Sequence, residues 1–171
     1  MDSASVTFWG LVVGTVIGII AGSFVQYLTQ HLFAGWQQRS LLKAFKRELE
    51  YDIGVLGSLL DEVARFRTAV GSNNLNSYFG SIKLTDVFFV LSNRALSEGL
   101  LYHAIEQQNL LALQKAATFC SAASENWIAT EIQSLKQGQG GSPAVFVNYL
   151  EDELKLHSKT LREIVQKIND N

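Results

Sequence analysis

The feature that most constrains this sequence is a long run without charge near its N-terminus. No Asp, Glu, Lys or Arg occurs between Asp2 and Arg39, and the middle of this run reads FWGLVVGTVIGIIAGSFVQYL from Phe8 to Leu28. At 1.5 Å per residue, a helix of these 21 residues spans about 31 Å, close to the roughly 30 Å hydrocarbon core of a bilayer. The run therefore predicts a transmembrane helix.

A cleaved signal peptide is the alternative for this run, because Ala21 and Ser23 are small enough to mimic a processing site. Two features oppose that alternative. No basic residue precedes the apolar run, and apolar residues continue past the small ones through Phe24, Val25 and Leu28. We therefore expect an anchor that is kept.

The charges around the run predict its orientation. Only Asp2 is charged before it, whereas four cations follow within a short distance: Arg39, Lys43, Lys46 and Arg47. Because cations accumulate on the cytoplasmic side of membrane helices, we expect the N-terminus outside and the C-terminal domain in the cytoplasm. The prediction is a single-pass protein of the inner (cytoplasmic) membrane.

Small residues recur along one side of the predicted membrane helix. Gly10, Gly14, Gly18 and Gly22 lie four residues apart, so they share one face. Such a face lets helix backbones approach closely, and close packing is a main source of helix association in lipid. The stripe predicts a homo-oligomer, and a dimer, a trimer, a tetramer or a larger ring would each use it.

The remaining chain predicts helices without a sheet. Leu42, Leu49, Leu56, Val63 and Val70 are spaced by sevens, with Phe45, Leu59 and Phe66 in most of the alternate positions. This heptad pattern indicates an amphipathic helix that packs either within its own domain or in a coiled coil. The predicted fold is all-α, with an N-terminal membrane segment over residues 1–36 and a cytosolic helical bundle over residues 37–171.

Further helices and loops follow from local signals. The turn-rich stretch GSNNLNSYFG, residues 71–80, ends the heptad helix. We expect one or two helices from Leu84 to Leu101 with Thr85 as N-cap, and a long helix from Tyr102 to Lys136. A last helix is predicted to begin at Pro143, after Ser142 as N-cap.

The sequence carries none of the common signatures of catalysis. It has no phosphate-binding Gly-rich loop ending in Lys-Ser or Lys-Thr, no nucleophile elbow and no HExxH pattern. Cys120 is its only cysteine, and we expect it to be a small buried residue. His157 lies in the apolar seam of the last helix, and we expect it to be a hydrogen-bonded histidine of the core or of an interface. The prediction is a protein that is not an enzyme and has no metal and no cofactor.

One polar cluster has the chemistry of a small nucleotide site. Amides, an aromatic ring and cations lie in or near the first loop: Arg65, Arg67, Asn73, Asn74, Asn76, Tyr78, Lys83 and Arg94. Amides can pair with an adenine edge, tyrosine can stack on a base, and cations neutralise phosphate. The simpler interpretation is an asparagine-rich turn with Arg65 paired to Asp61. The net charge of -2 opposes a binding site for duplex nucleic acid.

Two segments carry a resemblance to a known family. They are LLKAFKRELEYDIGVLGSLLDEV after the membrane run, and LTDVFFVLSNRALSEGLL followed by a helix with Leu113 and Asn126. Their arrangement resembles the small transmembrane effectors of type III CRISPR antiviral defence, in which a cytosolic helical domain binds cyclic tetra-adenylate and the membrane part disrupts the bilayer. The resemblance implies a nucleotide-gated effector, and the four-fold symmetry of the ligand favours a tetramer. The alternatives are a membrane-anchored protein-interaction module and a holin-like toxin that needs no ligand.

Overall fold

The computed structural model describes the backbone of residues 3–97, 99, 101 and 105–170, and the side chains of residues 35–97, 99, 101 and 105–169. The chain divides into two compact units, Met1–Leu41 and Leu42–Asn171. The predicted boundary after residue 36 stays a prediction. All described regular structure is helical, so the all-α class is confirmed for this part of the chain.

Helix α1 is assigned over Ser3–Gly71 and contributes to both units. Among the residues whose side chains are described, no helix combines the length and the apolar character that crossing a membrane requires. The predicted membrane segment, residues 8–28, and the glycines of its stripe lie outside the residues whose side chains are described. The stripe Gly10, Gly14, Gly18 and Gly22 therefore stays a prediction.

In the part that the structure describes, the second unit contains the end of α1 and four further α-helices. Two short 3-10 turns come first, at Leu75–Ser77 and Leu84–Asp86. The helices are α2 (Val90–Ser97), α3 (Gln107–Phe119), α4 (Ala122–Lys136) and α5 (Pro143–Asp170). Helix α3 packs against α5, and α4 contacts both 3-10 turns.

The core of this unit follows the two longest amphipathic patterns. The predicted heptad of α1 buries Phe45, Leu49, Leu56, Leu59, Val63 and Phe66. The stripe of α5 buries Val147, Leu150, Leu154, Leu161 and Ile164. Both patterns are set by local periodicity, and helix α5 begins at Pro143 as predicted because proline's missing N–H costs nothing in the first turn.

The region after the first loop differs from its prediction. Residues Leu84–Asp86 form a 3-10 turn, and α2 begins only at Val90. Thr85 is not an N-cap, because its hydroxyl and its backbone N–H both donate to Glu125 of α4, at 2.7 and 2.8 Å. The start of α2 is decided by a distant residue, since the Glu48 carboxylate accepts the N–H groups of Leu91 and Ser92.

The predicted helix from Tyr102 to Lys136 is interrupted, and residues 102–104 lie outside the described part of the chain. The described portion forms two helices, α3 and α4, which are separated at Cys120 and Ser121. Ser121 has extended backbone angles and its side chain accepts from the N–H of Ser124 at 3.3 Å. An internal N-cap therefore starts a new helix where apolar spacing alone predicts continuity.

Candidate functional site

The first loop begins where α1 ends at Gly71. Asn73 has a positive φ of 53°, a left-handed conformation that asparagine adopts more readily than most residues. Asn74 precedes the first 3-10 turn and Asn76 lies within it, and all three asparagines are exposed. Their abundance is thus consistent with turn geometry, and their amides face solvent.

A cavity of about 320 Å³ lies between the last turns of α1 and this loop. Arg65, Ser72 and Tyr78 are among its lining residues. The guanidinium of Arg65 pairs with Glu62 at 3.0 Å, not with Asp61 as the turn interpretation expected. The Arg65 guanidinium that lines this cavity is therefore already neutralised by the Glu62 carboxylate.

Tyr78 is packed into the core and does not face the loop surface. Its side chain is 4% exposed, and its ring packs on Phe66 with centroids 4.9 Å apart. Lys136 lies 5.6 Å from the ring centroid and donates to the Tyr78 carbonyl at 2.6 Å. Burial raises the pKa of Tyr78 above its usual range, and the nearby Glu62 carboxylate adds to this. A base could stack on this ring only after the packing opens.

The other predicted ligand residues are dispersed. Arg67 faces α5, where it donates to Asn148 at 2.8 Å and to the Glu151 carboxylate. Lys83 and Arg94 are exposed, and neither is among the residues that line the cavity. Of the eight predicted residues, only Arg65 and Tyr78 meet there, so the nucleotide site remains a prediction without an assembled pocket.

Exposed aromatic and apolar side chains form a surface that the sequence did not predict, and its composition is typical of a protein contact site. We call Trp127, Val145 and Tyr149 the aromatic patch; their exposed fractions are 48%, 67% and 42%. The Trp127 ring lies edge-on to Phe146 and Tyr149, with centroids 5.7 and 5.8 Å apart. The sequence could have indicated this surface, because Val145 and Tyr149 are four residues apart and share a helical face that differs from the apolar face of α5.

A second overlooked feature is a pair of carboxylates one helical turn apart on α1. Glu48 accepts three hydrogen bonds from residues 91 and 92, and the fully buried Asp52 accepts the N–H of Phe88 at 2.8 Å. Burial raises the pKa of Asp52 to about 7; the Phe88 bond opposes this shift and the charge of Glu48 adds to it. The sequence signal was the single acid in the otherwise apolar series Phe45, Asp52, Leu59 and Phe66.

The predicted burial of two isolated residues is confirmed. Cys120 is buried, and His157 is buried with its ring 4.9 Å from that of Phe119. His157 Nε2 lies 3.3 Å from a Glu153 carboxylate oxygen but is not aligned for a hydrogen bond. Among the described residues, no three His, Cys, Asp or Glu side chains are grouped to hold a metal ion.

No protein-family model, curated protein sequence or solved structure matches this chain. The candidate sites are therefore inferred from the geometry of this structure. That geometry offers an exposed aromatic surface on α4 and α5, and a small cavity whose cation is already paired.

Proposed function

We propose that this protein is a membrane-tethered, non-enzymatic helical module that binds a protein partner through its aromatic patch. The observation that carries the proposal is the exposure of Trp127 beside Tyr149 and Val145. Tryptophan and tyrosine are enriched at the energetic centres of protein interfaces, because a rigid ring buries a large area at little entropic cost.

The patch has the layout of such a centre. The Trp127 ring packs edge-on against both the buried Phe146 and Tyr149, so the surface is already ordered before a partner arrives. Polar side chains lie close along α5, including Asn148 and Glu151, which are tied to Arg67 of α1. An apolar centre with a polar margin is the usual arrangement of a protein contact site. We infer a partner that packs an apolar side chain against the exposed surfaces of Trp127 and Tyr149.

The test is site-specific photocrosslinking of the full chain in its native membrane. A photoreactive amino acid replaces Val145, and a matched one replaces Phe79, which is 92% exposed and lies outside the patch. We expect one discrete adduct with a different protein from position 145, absent from position 79 and lost on Trp127→Ala. Equal labelling from both positions, or an adduct only with a second copy of this chain, would contradict the proposal.

The tether in this proposal is the charge-free run over residues 8–28. We propose that it anchors the module in the inner membrane with the C-terminal domain inside, and that the glycine stripe pairs copies of it. Replacing residues 1–36 by an unrelated membrane anchor should preserve partner binding. Gly14→Leu together with Gly18→Leu should abolish crosslinking between copies, and unchanged crosslinking removes the stripe from the proposal.

A second candidate is the nucleotide-activated membrane effector of antiviral defence, for which the favourable observation is the cavity beside the exposed asparagines. Arg65 and the Ser72 and Ser77 side chains line it, and hydroxyls and a guanidinium suit a phosphate. The ligand would have to displace Glu62 from Arg65. Cyclic tetra-adenylate is the best candidate ligand.

Calorimetry on the full chain in lipid nanodiscs tests this second candidate. Cyclic tetra-adenylate should bind, Arg65→Ala should weaken binding at least about tenfold, equivalent to about 1.4 kcal/mol, and Arg162→Ala, a change at an exposed residue of α5, should not. Binding should also release dye from liposomes that contain the protein. No heat with any ring size of cyclic oligoadenylate rejects this ligand class, whereas dye release without any ligand indicates a holin-like toxin.

A further inference from the structure

Asp52 interrupts an apolar series in the seam of α1. Positions 45, 59 and 66 of this series carry buried Phe, Leu and Phe, and Asp52 is as completely buried as they are. A carboxylate in such a place is costly when charged, because it loses its hydration without gaining a full set of donors. Burial at this position therefore favours the neutral, protonated form of Asp52.

The hydrogen bonds of Asp52 are incomplete. Oδ1 accepts the backbone N–H of Phe88 at 2.8 Å, whereas Oδ2 is buried and has no hydrogen-bond partner among the described residues. One turn earlier, Glu48 accepts the N–H of Leu91 at 2.7 Å and both the N–H and the hydroxyl of Ser92 at 2.8 Å. Together the two carboxylates hold residues 88–92, which include the first turn of α2, against α1.

The groups that face Asp52 disfavour its negative charge. Glu48 is a like charge on the same helix, and Cys120, at the end of α3, is a buried thiol whose own pKa is raised by burial and by Asp52. The segment across from Asp52 contributes the Phe88 N–H, which is its single hydrogen bond to Asp52 among the described residues. A neutral carboxylic acid keeps this bond through its carbonyl oxygen and removes the repulsion.

We propose that Glu48 and Asp52 form a proton-operated latch, which holds residues 88–92 on α1 while Asp52 is protonated and loosens when Asp52 ionises. Ionised Asp52 needs water at Oδ2. The segment that can admit water is the one it binds, because the ring of Phe88 is half-exposed and stacks on the half-exposed Tyr51 at 6.0 Å. This device is independent of the proposed partner.

The sign of the effect follows from proton linkage. The pKa of Asp52 is higher in the closed state, about 7, than its ordinary value of 3.8, so the closed state binds more protons over this range. Closure is therefore strongest at the acid end and weakens as pH rises through the range. One linked proton changes the opening constant by up to about tenfold per pH unit.

Amide hydrogen exchange on the full chain in detergent tests the latch. Protection factors, which remove the intrinsic pH dependence of exchange, are compared at pH 6 and pH 8 for residues 88–92. We expect protection to fall about tenfold in the native sequence and to stay level in Asp52→Asn, which retains an oxygen acceptor for Phe88. The control Asp61→Asn changes an exposed acid of the same helix and should match the native chain.

A loss of protection of less than about threefold, or the same loss in Asp52→Asn, overturns the proposal. Should Asp52→Asn not fold, the native chain still gives an answer. The carboxyl carbon of Asp52, followed by NMR against pH, should titrate with a midpoint near 7. A midpoint near 4 would show an ordinary carboxylate and also overturn the latch.

Discussion

The carboxylate of Glu48 binds both the backbone N–H and the hydroxyl of Ser92, each at 2.8 Å. This contact joins two helices that are far apart in sequence. It also caps α2, because the residue before that helix is Phe89, whose side chain cannot accept a hydrogen bond. Negative charge is favourable at a helix N-terminus, because the first N–H groups have no partner within the helix.

Removal of this cap should destabilise the C-terminal unit. Glu48→Ala is expected to lower the free energy of unfolding by about 2 kcal/mol, because several charged hydrogen bonds are lost and the first turn of α2 loses its acceptor. Urea unfolding followed by circular dichroism in mild detergent measures the loss. Glu50→Ala is the control. Glu50 forms an exposed pair with Lys46 at 3.6 Å, so its removal should change stability by less than about 0.5 kcal/mol.

Truncation of two phenylalanines near the first loop should affect stability by very different amounts. Phe66 is fully buried between Tyr78 and Phe146, so Phe66→Ala should cost about 3–5 kcal/mol through lost burial and a cavity. Phe79→Ala, at a residue that is 92% exposed, should stay within about 0.5 kcal/mol. Similar unfolding midpoints for the two variants would contradict the packing described for the loop.

Protonation of the buried His157 should lower the free energy of unfolding in acid. Burial lowers its pKa, although Glu153 opposes the shift, so the unfolded chain binds more protons than the folded chain below the ordinary pKa of histidine. The stability contributed by neutral His157 is complete above pH 6.5 and is lost as pH falls towards its folded pKa.

The variant His157→Gln isolates this contribution, because Asp52 and the other titrating groups are common to both proteins. Between pH 7 and pH 5.5, the native chain should lose more stability than the variant, because only the native chain has a histidine whose folded pKa is lowered. Urea unfolding at the two pH values measures the difference. Equal pH dependence in the two proteins would mean that His157 titrates as it does in the unfolded chain.

The thiol of Cys120 should be unreactive in the folded protein. Burial raises its pKa to about 12, with the charge of Asp52 adding to the shift, so little thiolate exists at neutral pH. Ellman's reagent should react about a hundredfold or more slowly with the native chain than with the chain in urea. Because Cys120 is the only cysteine, fast labelling of the native protein would directly contradict its buried placement.

Several features of the fold were readable from local sequence. The heptad spacing of α1 predicted six residues that are buried, Phe45, Leu49, Leu56, Leu59, Val63 and Phe66. Ser142-Pro143 predicted where α5 begins. The turn residues from Gly71 onwards predicted the end of α1. Each of these signals acts within a few residues, so no knowledge of the rest of the chain was needed.

Other features were missed for different reasons. The break at Ser121 has a local cap, but the apolar spacing on both sides of it suggested one continuous helix. The nucleotide prediction grouped residues by chemistry and proximity in sequence, yet Arg67 points to α5 and Tyr78 is packed on Phe66. Side-chain direction at a helix end depends on which neighbour offers a partner, and that neighbour lies elsewhere in the chain.

The sequence by itself determined the helical class, the two long amphipathic helices and the position of the turn that follows α1, because these depend on periodicity and local backbone preference. Only the tertiary structure decided where α2 begins, that Asp52 is buried, and that Trp127 and Tyr149 stay exposed together. These outcomes depend on contacts between distant segments, and the hydrogen bonds of Glu48 and Asp52 to residues 88–92 exist only once α1 and that segment have packed.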